Sequence, residues 1–260
     1  KRDRMPGNHA DGGFATHCYV PSKDVVCLDP EGQGGQGKLG AAQLEAWELA
    51  PLADAATTAY QAIVRSGLGA GDLAVFVGIG GVGGFGAQLA RAEGARVVAI
   101  DVDAARLQAF APYVDRVIDA RGRDAREVRK EIRGFAKEQG LADAPLRIFE
   151  TSGAPPGQQL AFTLLERGGS LAIVGFTPEK IPLRLSNIMA LDADVHGNWG
   201  CDPALYSAVV DRALAGEVQV RPFIERRPLS EVNEVLEDLR AHRLSKRAVL
   251  VPEPNGGPHG

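Results

Sequence analysis

The chain has 260 residues, 45% of them hydrophobic, and a formal net charge of −4. That length supports one or two domains with a sizeable core, and the acidic balance offers no basic surface for nucleic acid. No apolar run approaches the roughly 20 residues of a membrane-spanning helix, so neither nucleic acid nor a membrane is an expected partner.

Residues 14–28, "FATHCYVPSKDVVCL", read as short β-like runs broken by Pro21. Their two cysteines, with Cys201, form no C-x-x-C pair, and so sparse a set fits a reducing, cytoplasmic setting. No signal-peptide pattern is visible. Residues 29–40 are a glycine-rich loop. Helical spacing follows over 41–66, with Pro51 as an interruption.

A regular alternation begins at Leu73. "LAVFVGI", "RVVAID", "DRVIDA", "LRIFETS" and "SLAIVGF" are apolar runs of strand length, and "DADVHGNWG" is a sixth candidate. Helical periodicity separates them in "VGGFGAQLARAEG" and at about 123–139 and 156–168. This order predicts an α/β fold, a doubly wound parallel sheet with right-handed crossovers. Beyond it, "PALYSAVVDRALAG" and "LSEVNEVLEDLRAHR" read as helices and "RAVLVPE" as a closing strand. The tail "PEPNGGPHG" reads as a disordered end. The basic run "RGRDAREVRKEIRG" interleaves its cations with Asp124, Glu127 and Glu131, as a solvated helix face does.

The stretch "FVGIGGVGGFG", residues 76–86, carries the pattern G-x-G-x-x-G at Gly78, Gly80 and Gly83. The motif alone is weak, but it follows an apolar strand and opens a helix. The unit from Leu73 to Asp101 has the roughly 30-residue length of a dinucleotide-binding strand–helix–strand. Gly78 would make the tight turn, Gly80 would admit a pyrophosphate to the backbone, and Gly83 would let helix and strand pack closely. Free N–H groups at Gly81 and Val82 and the helix dipole would attract the phosphates. Asp101 stands 23 residues after Gly78. Its carboxylate could accept both adenosine ribose hydroxyls and would repel a 2′-phosphate, which points to NAD rather than NADP.

Rival motifs are weaker. Gly32, Gly37 and Lys38 have the spacing of a phosphate-binding P-loop, but Leu39 follows where a Mg²⁺-ligating Ser or Thr belongs. His9, His17, His196 and His242 are scattered, with no H-E-x-x-H, and there is no G-x-S-x-G elbow.

"APLADAATTAYQAI" (residues 50–63) followed by "GIGGVGGFGAQLA" resembles the zinc-type medium-chain alcohol dehydrogenases, and the similarity runs from residues 12–17 to 245–251. The resemblance implies a Rossmann cofactor domain over 56–199. It also implies a remnant of a GroES-like, β-rich catalytic domain, formed by residues 1–55 and by a returning segment, 200–260. It implies NAD and zinc as cofactors. Asp54 stands where many members place a cysteine that ligates the catalytic zinc; the other reading of Asp54 is a helix N-cap before "AATTAY". Thr58 matches a threonine that touches the nicotinamide. Thr151 falls in the cofactor-lining "FETSG", Val174 and Phe176 match groups that receive the carboxamide, as do Asn198 and its neighbours, and Arg247 matches a pyrophosphate contact. The remaining zinc ligands and the proton relay lie in an amino-terminal part of the family that has no counterpart here, so no catalytic residue is assigned within this chain, and it is expected to be inactive alone. A narrower resemblance, in "RMPGN", "FETSG", "RLSN", "GNWGC" and "FIERRPL", is to family members that oxidise a ring hydroxyl of a cyclic enoyl-CoA, which implies an acyl-CoA substrate. Family members pair edge strands into dimers, so a homo-oligomer through "ADVHGNW" is implied. A different dehydrogenase of the same family, or a non-catalytic NAD-binding protein, remains open.

Overall fold

The computed structural model describes residues 6–15, 17–28, 37–241 and 243–253. The chain forms two units, one of residues 52–212 and one joining 1–51 to 213–260.

In chain order, the strands begin with a short antiparallel pair, β1 (Lys38–Leu39) and β2 (Leu44–Glu45). A 3-10 helix, Ala46–Ala53, contains Pro51 and leads into α1 (Ala55–Ser66). Then follow β3 (Leu73–Val77), α2 (Gly81–Ala92), β4 (Arg96–Asp101), α3 (Ala104–Phe110), β5 (Arg116–Asp119), α4 (Ala125–Glu138), β6 (Leu146–Glu150), α5 (Pro155–Thr163), β7 (Ser170–Ile173), α6 (Ser186–Ala190) and β8 (Asp194–Gly197). The chain closes with α7 (Tyr206–Ala215), β9 (Ile224–Pro228), α8 (Val232–Arg240) and β10 (Arg247–Val251).

All six strands expected between residues 73 and 200 lie in one parallel sheet, in the order β5-β4-β3-β6-β7-β8. The order reverses between β3 and β6, so the carboxyl ends of these strands open a crevice, where α/β sheets place ligands. Strand β3 is buried on both faces, as a central parallel strand must be. Leu73, Val75 and Val77 join Val128, Ile132 and Phe135 of α4 and Phe162 of α5 in one apolar cluster. Phe76 points to the opposite face and stacks on Phe149 of β6, ring centroids 4.7 Å apart. Helix α4 starts with a capping box, in which Asp124 accepts from the Glu127 N–H and the Glu127 carboxylate accepts from the Asp124 N–H.

In the other unit, β9 and β10 form a separate parallel pair with Ile224 opposite Arg247. The Arg221 guanidinium grips the buried carboxylate of Glu48 at 2.6 and 2.9 Å and also donates to the carbonyls of Ala42 and Gln43. Burial would push the Glu48 carboxyl up, but the Arg221 fork and the Glu45 N–H outweigh it and hold it below its ordinary range.

Four expectations change. Residues 14–28 hold no strand among the described residues, only a 3-10 turn at Ser22–Asp24, because no neighbouring strand pairs with them. Pro51 sits inside the 3-10 helix instead of breaking it. Helix α3 and strand β9 lie where no element was expected. Lys38 and Leu39, expected in the glycine-rich loop, enter a strand, which also leaves the rejected P-loop without the helix it needs; Gly32 lies outside the described residues, as does His242.

Candidate functional site

The site grows from the turn after β3. Gly78 takes a left-handed φ of 92° that an L side chain rarely adopts, and its N–H donates to the Ile100 carbonyl at 2.8 Å. A Cβ on Gly83 would overlap the Gly78 carbonyl oxygen and lie 2.6 Å from Thr151 Oγ1. At Gly80 the reverse holds: a Cβ would have no atom within 4 Å. Open room therefore stands over the backbone where the glycine pattern asks for a pyrophosphate. Helix α2 starts at Gly81 with Gly80 as its N-cap and no side chain capping it. The first-turn N–H groups of Gly81, Val82 and Gly83 thus have no intrahelical partner and supply donors and partial positive charge for an anion. These features fit a dinucleotide.

Asp101 ends β4 beside this turn and is 8% exposed. One carboxylate oxygen accepts from the Ile79 N–H at 2.7 Å, and the other accepts from Val102 and Asp103 at 2.7 and 2.9 Å. The residue expected to read the ribose therefore also holds the glycine turn, a second task that its spacing does not reveal. Thr151, the residue after β6, donates its hydroxyl to the Gly78 carbonyl at 2.6 Å, so its side chain braces the same turn.

On helix α1, Thr58 is buried and its hydroxyl donates to Asp54 at 3.1 Å. Asp54 occupies the N-cap position of α1, but its side chain caps no backbone N–H; its carboxylate serves Thr58 instead. Asn198, 7% exposed, donates to the Thr58 carbonyl at 2.9 Å and accepts from Gln61 at 3.0 Å. Arg65 donates to the Gly197 carbonyl at 2.7 Å, and Gln61 Oε1 accepts from the Asp202 N–H at 2.7 Å. The "GNWGC" segment is thereby fastened to the helix that carries Asp54 and Thr58. Sequence reasoning missed Gln61 and Arg65; their i, i+4 spacing on α1 was a signal, but their partners lie more than 130 residues away.

Val174 and Phe176 follow β7. The Val174 N–H donates to the Glu150 carbonyl at 2.9 Å, and the Phe176 side chain is exposed. Glu150, also missed, is fully buried at the end of β6. Arg247 belongs to the other unit, at the start of β10, where its Nε is buried without a hydrogen-bond partner.

Zinc requires three or more protein ligands. Among the described residues no three His, Cys, Asp or Glu side chains gather in a group that could hold a metal ion. Asp54 by itself does not hold one. No helix among them is long and apolar enough to cross a membrane.

A family model described as zinc-binding dehydrogenase matches residues 81–215. An alcohol dehydrogenase of Geobacillus stearothermophilus is 27% identical over 252 residues, covering 96% of this chain and 68% of that protein. An NAD-dependent alcohol dehydrogenase of Sulfurisphaera tokodaii is 27% identical over 253 residues, covering 96% of this chain and 67% of that protein. The crystal structure of the alcohol dehydrogenase from Aeropyrum pernix is similar with a TM-score of 0.79 at 28% identity, covering 95% of this chain and 67% of its own. The chain spans about two thirds of the length of these relatives.

Proposed function

The chain belongs to the zinc-binding dehydrogenase family, and we propose that it is the cofactor-holding part of an NAD-dependent alcohol dehydrogenase. The observation that carries this reading is the pairing of open space over Gly80 with the Asp101 carboxylate beside the same turn. The uncapped start of α2 receives the pyrophosphate, and Asp101 receives the adenosine ribose. Thr58 and the Val174–Phe176 turn orient the nicotinamide. When bound, the nicotinamide accepts a hydride from the alcohol carbon, while the protein supplies position and electrostatics.

The substrate we propose is 6-hydroxycyclohex-1-ene-1-carbonyl-CoA, whose ring hydroxyl is oxidised to the ketone during anaerobic benzoyl-CoA degradation. "GNWGC" and "FIERRPL" support this assignment. In support, Asn198 of "GNWGC" donates to the Thr58 carbonyl and accepts from Gln61, on the helix that carries Thr58. In this reading Asp54 contributes one zinc ligand, and the residues that complete the metal site come from the third of the relatives' length that has no counterpart here. The three cysteines are free, in keeping with a cytoplasmic enzyme. Strand β8 ends the sheet and leaves an edge on which a second copy of the chain would pair.

Two measurements test the proposal. Fluorescence titration should show NADH bound in preference to NADPH; equal affinities would remove the NAD assignment. The 260 residues alone should not turn over the cyclic hydroxy-enoyl-CoA, and a version extended with the relatives' amino-terminal part should do so with zinc. Turnover of simple alcohols but not of the CoA ester by the extended protein would point to another dehydrogenase of the family, and cofactor binding with no turnover of either would point to a non-catalytic NAD-binding protein.

A further inference from the structure

Glu150 lies at the carboxyl end of β6, near the centre of the sheet, and is fully buried. Its two carboxylate oxygens are treated differently. Oε1 accepts from the Ser152 N–H at 2.8 Å, the Ser152 hydroxyl at 2.5 Å and the Gly153 N–H at 3.1 Å. Oε2 is buried and has no hydrogen-bond partner. It faces the turn after β7: a Cβ built on Gly175 would lie 2.7 Å from it. The same turn is tied to the Glu150 backbone, whose carbonyl accepts from Val174 and Gly175, both at 2.9 Å. A buried acceptor left unsatisfied is unusual and asks for a reason. The three groups that serve Oε1 are neutral donors, so they orient the carboxylate and offset part of its charge but leave it net negative.

We propose that Glu150 sets the preference of this site for the oxidised cofactor. The inference rests on the reading above, in which Val174 and Phe176 receive the nicotinamide. The oxidised nicotinamide ring carries a positive charge and the reduced ring does not. A carboxylate held just behind the turn that seats the ring attracts the first and is indifferent to the second. Because the carboxylate is buried, solvent and salt screen this attraction weakly. The effect raises the share of the site filled by the oxidised form. Glu150 acts as a specificity-determining group and need not touch the reacting atoms.

The test is the ratio of the dissociation constants of NAD+ and NADH, measured by titration on the unmodified chain and on two variants. Glu150→Gln removes the charge with little change of shape, and the ratio should rise about tenfold, the equivalent of about 1.4 kcal/mol. Ser152→Ala removes a hydroxyl that partly neutralises the carboxylate, so the ratio should move the opposite way, by about twofold. A purely structural role for Glu150 would weaken both cofactors by the same factor and leave the ratio unchanged, which would overturn the proposal. If Glu150→Gln does not fold, Ser152→Ala decides alone: a ratio unchanged or shifted toward NADH overturns it. An unmodified chain that binds neither cofactor overturns the cofactor reading itself. A chain that binds both, with a ratio insensitive to the variants, overturns only the role of Glu150.

Discussion

Asn198, just past the edge strand, donates from Nδ2 to the carbonyl oxygen of Thr58 on helix α1, at 2.9 Å. The two residues stand 140 positions apart and both are buried. This contact turns the end of β8 into a brace for the helix that carries Asp54 and Thr58. Gln61 and Arg65 complete it by donating to the Asn198 side-chain oxygen, at 3.0 and 3.4 Å.

Asn198→Ala should therefore destabilise the fold by about 1 kcal/mol, since it removes the bond to the Thr58 carbonyl and the oxygen that accepts from Gln61 and Arg65. Thermal melting measures it. A melting temperature equal to that of the unmodified chain would mean that the brace contributes nothing. Arg65→Ala, on an exposed contact to the Gly197 carbonyl, should cost about 0.5 kcal/mol.

The six parallel strands were legible because central strands of a covered parallel sheet are apolar along their whole length, as "LAVFV" and "RVVAI" are. Strand β9 was not, because "IERRP" holds three consecutive charged residues and its partner, β10, begins 23 residues after it starts. Helix α3 escaped because seven residues carry too little periodicity; its signal was Asp103, whose side chain caps the N–H groups of Ala105 and Arg106. At the site, the glycines and Asp101 were legible from spacing because the turn is local. Glu150, Gln61 and Arg65 were not singled out, since the meaning of each depends on what the fold sets opposite it.

Asp101 carries two tasks, so its replacement should do more than relax cofactor choice. Asp101→Ser removes the acceptor of the Ile79, Val102 and Asp103 N–H groups along with the negative charge. NADH binding should weaken tenfold or more, the equivalent of about 1.5–3 kcal/mol for hydrogen bonds to a charged group. NADPH binding should change by less than about threefold, because relief of repulsion offsets the looser turn. Parallel titration with both cofactors measures this, and an equal loss for both would show that Asp101 serves the turn alone.

The Arg221–Glu48 pair predicts an acid dependence for the unit of residues 1–51 and 213–260. The Glu48 carboxyl is held below its ordinary value of 4.5 in the folded chain. Its contribution to stability is fully present above the unfolded value and is lost as pH falls through the folded one. Arg221→Ala should cost about 1–3 kcal/mol at neutral pH, the lower end being favoured because the arginine side chain is 49% exposed. The difference between variant and unmodified chain should shrink below pH 4.5. Arg221→Lys should recover only part of the loss, since an ammonium cannot form the fork that reaches both Glu48 oxygens and two carbonyls. Melting across the acid range tests the pair, and a gap that stays constant with pH would show that the carboxylate charge plays no part.

Gly80 and Gly83 share one motif but fail in different ways when a methyl group is added. At Gly83 the methyl would run into the Gly78 carbonyl oxygen and the Thr151 hydroxyl. Both belong to the packed seam between α2 and the strand ends, and the carbonyl is backbone with little freedom to retreat. Gly83→Ala should therefore destabilise the folded chain by about 1–3 kcal/mol, as overpacking does, and lower cofactor affinity only as a consequence. At Gly80 the methyl meets nothing within 4 Å, and φ is −76°, which alanine adopts. Gly80→Ala should leave the melting temperature of the free chain nearly unchanged. The methyl would occupy the room over the uncapped start of α2, so NADH affinity should fall by tenfold or more, about 1.4 kcal/mol. The two variants together separate a glycine kept for packing from one kept for a ligand. If Gly80→Ala binds NADH as well as the unmodified chain does, the open space is not where the pyrophosphate sits. If Gly83→Ala melts normally, the close approach of helix and strand does not require glycine at that position.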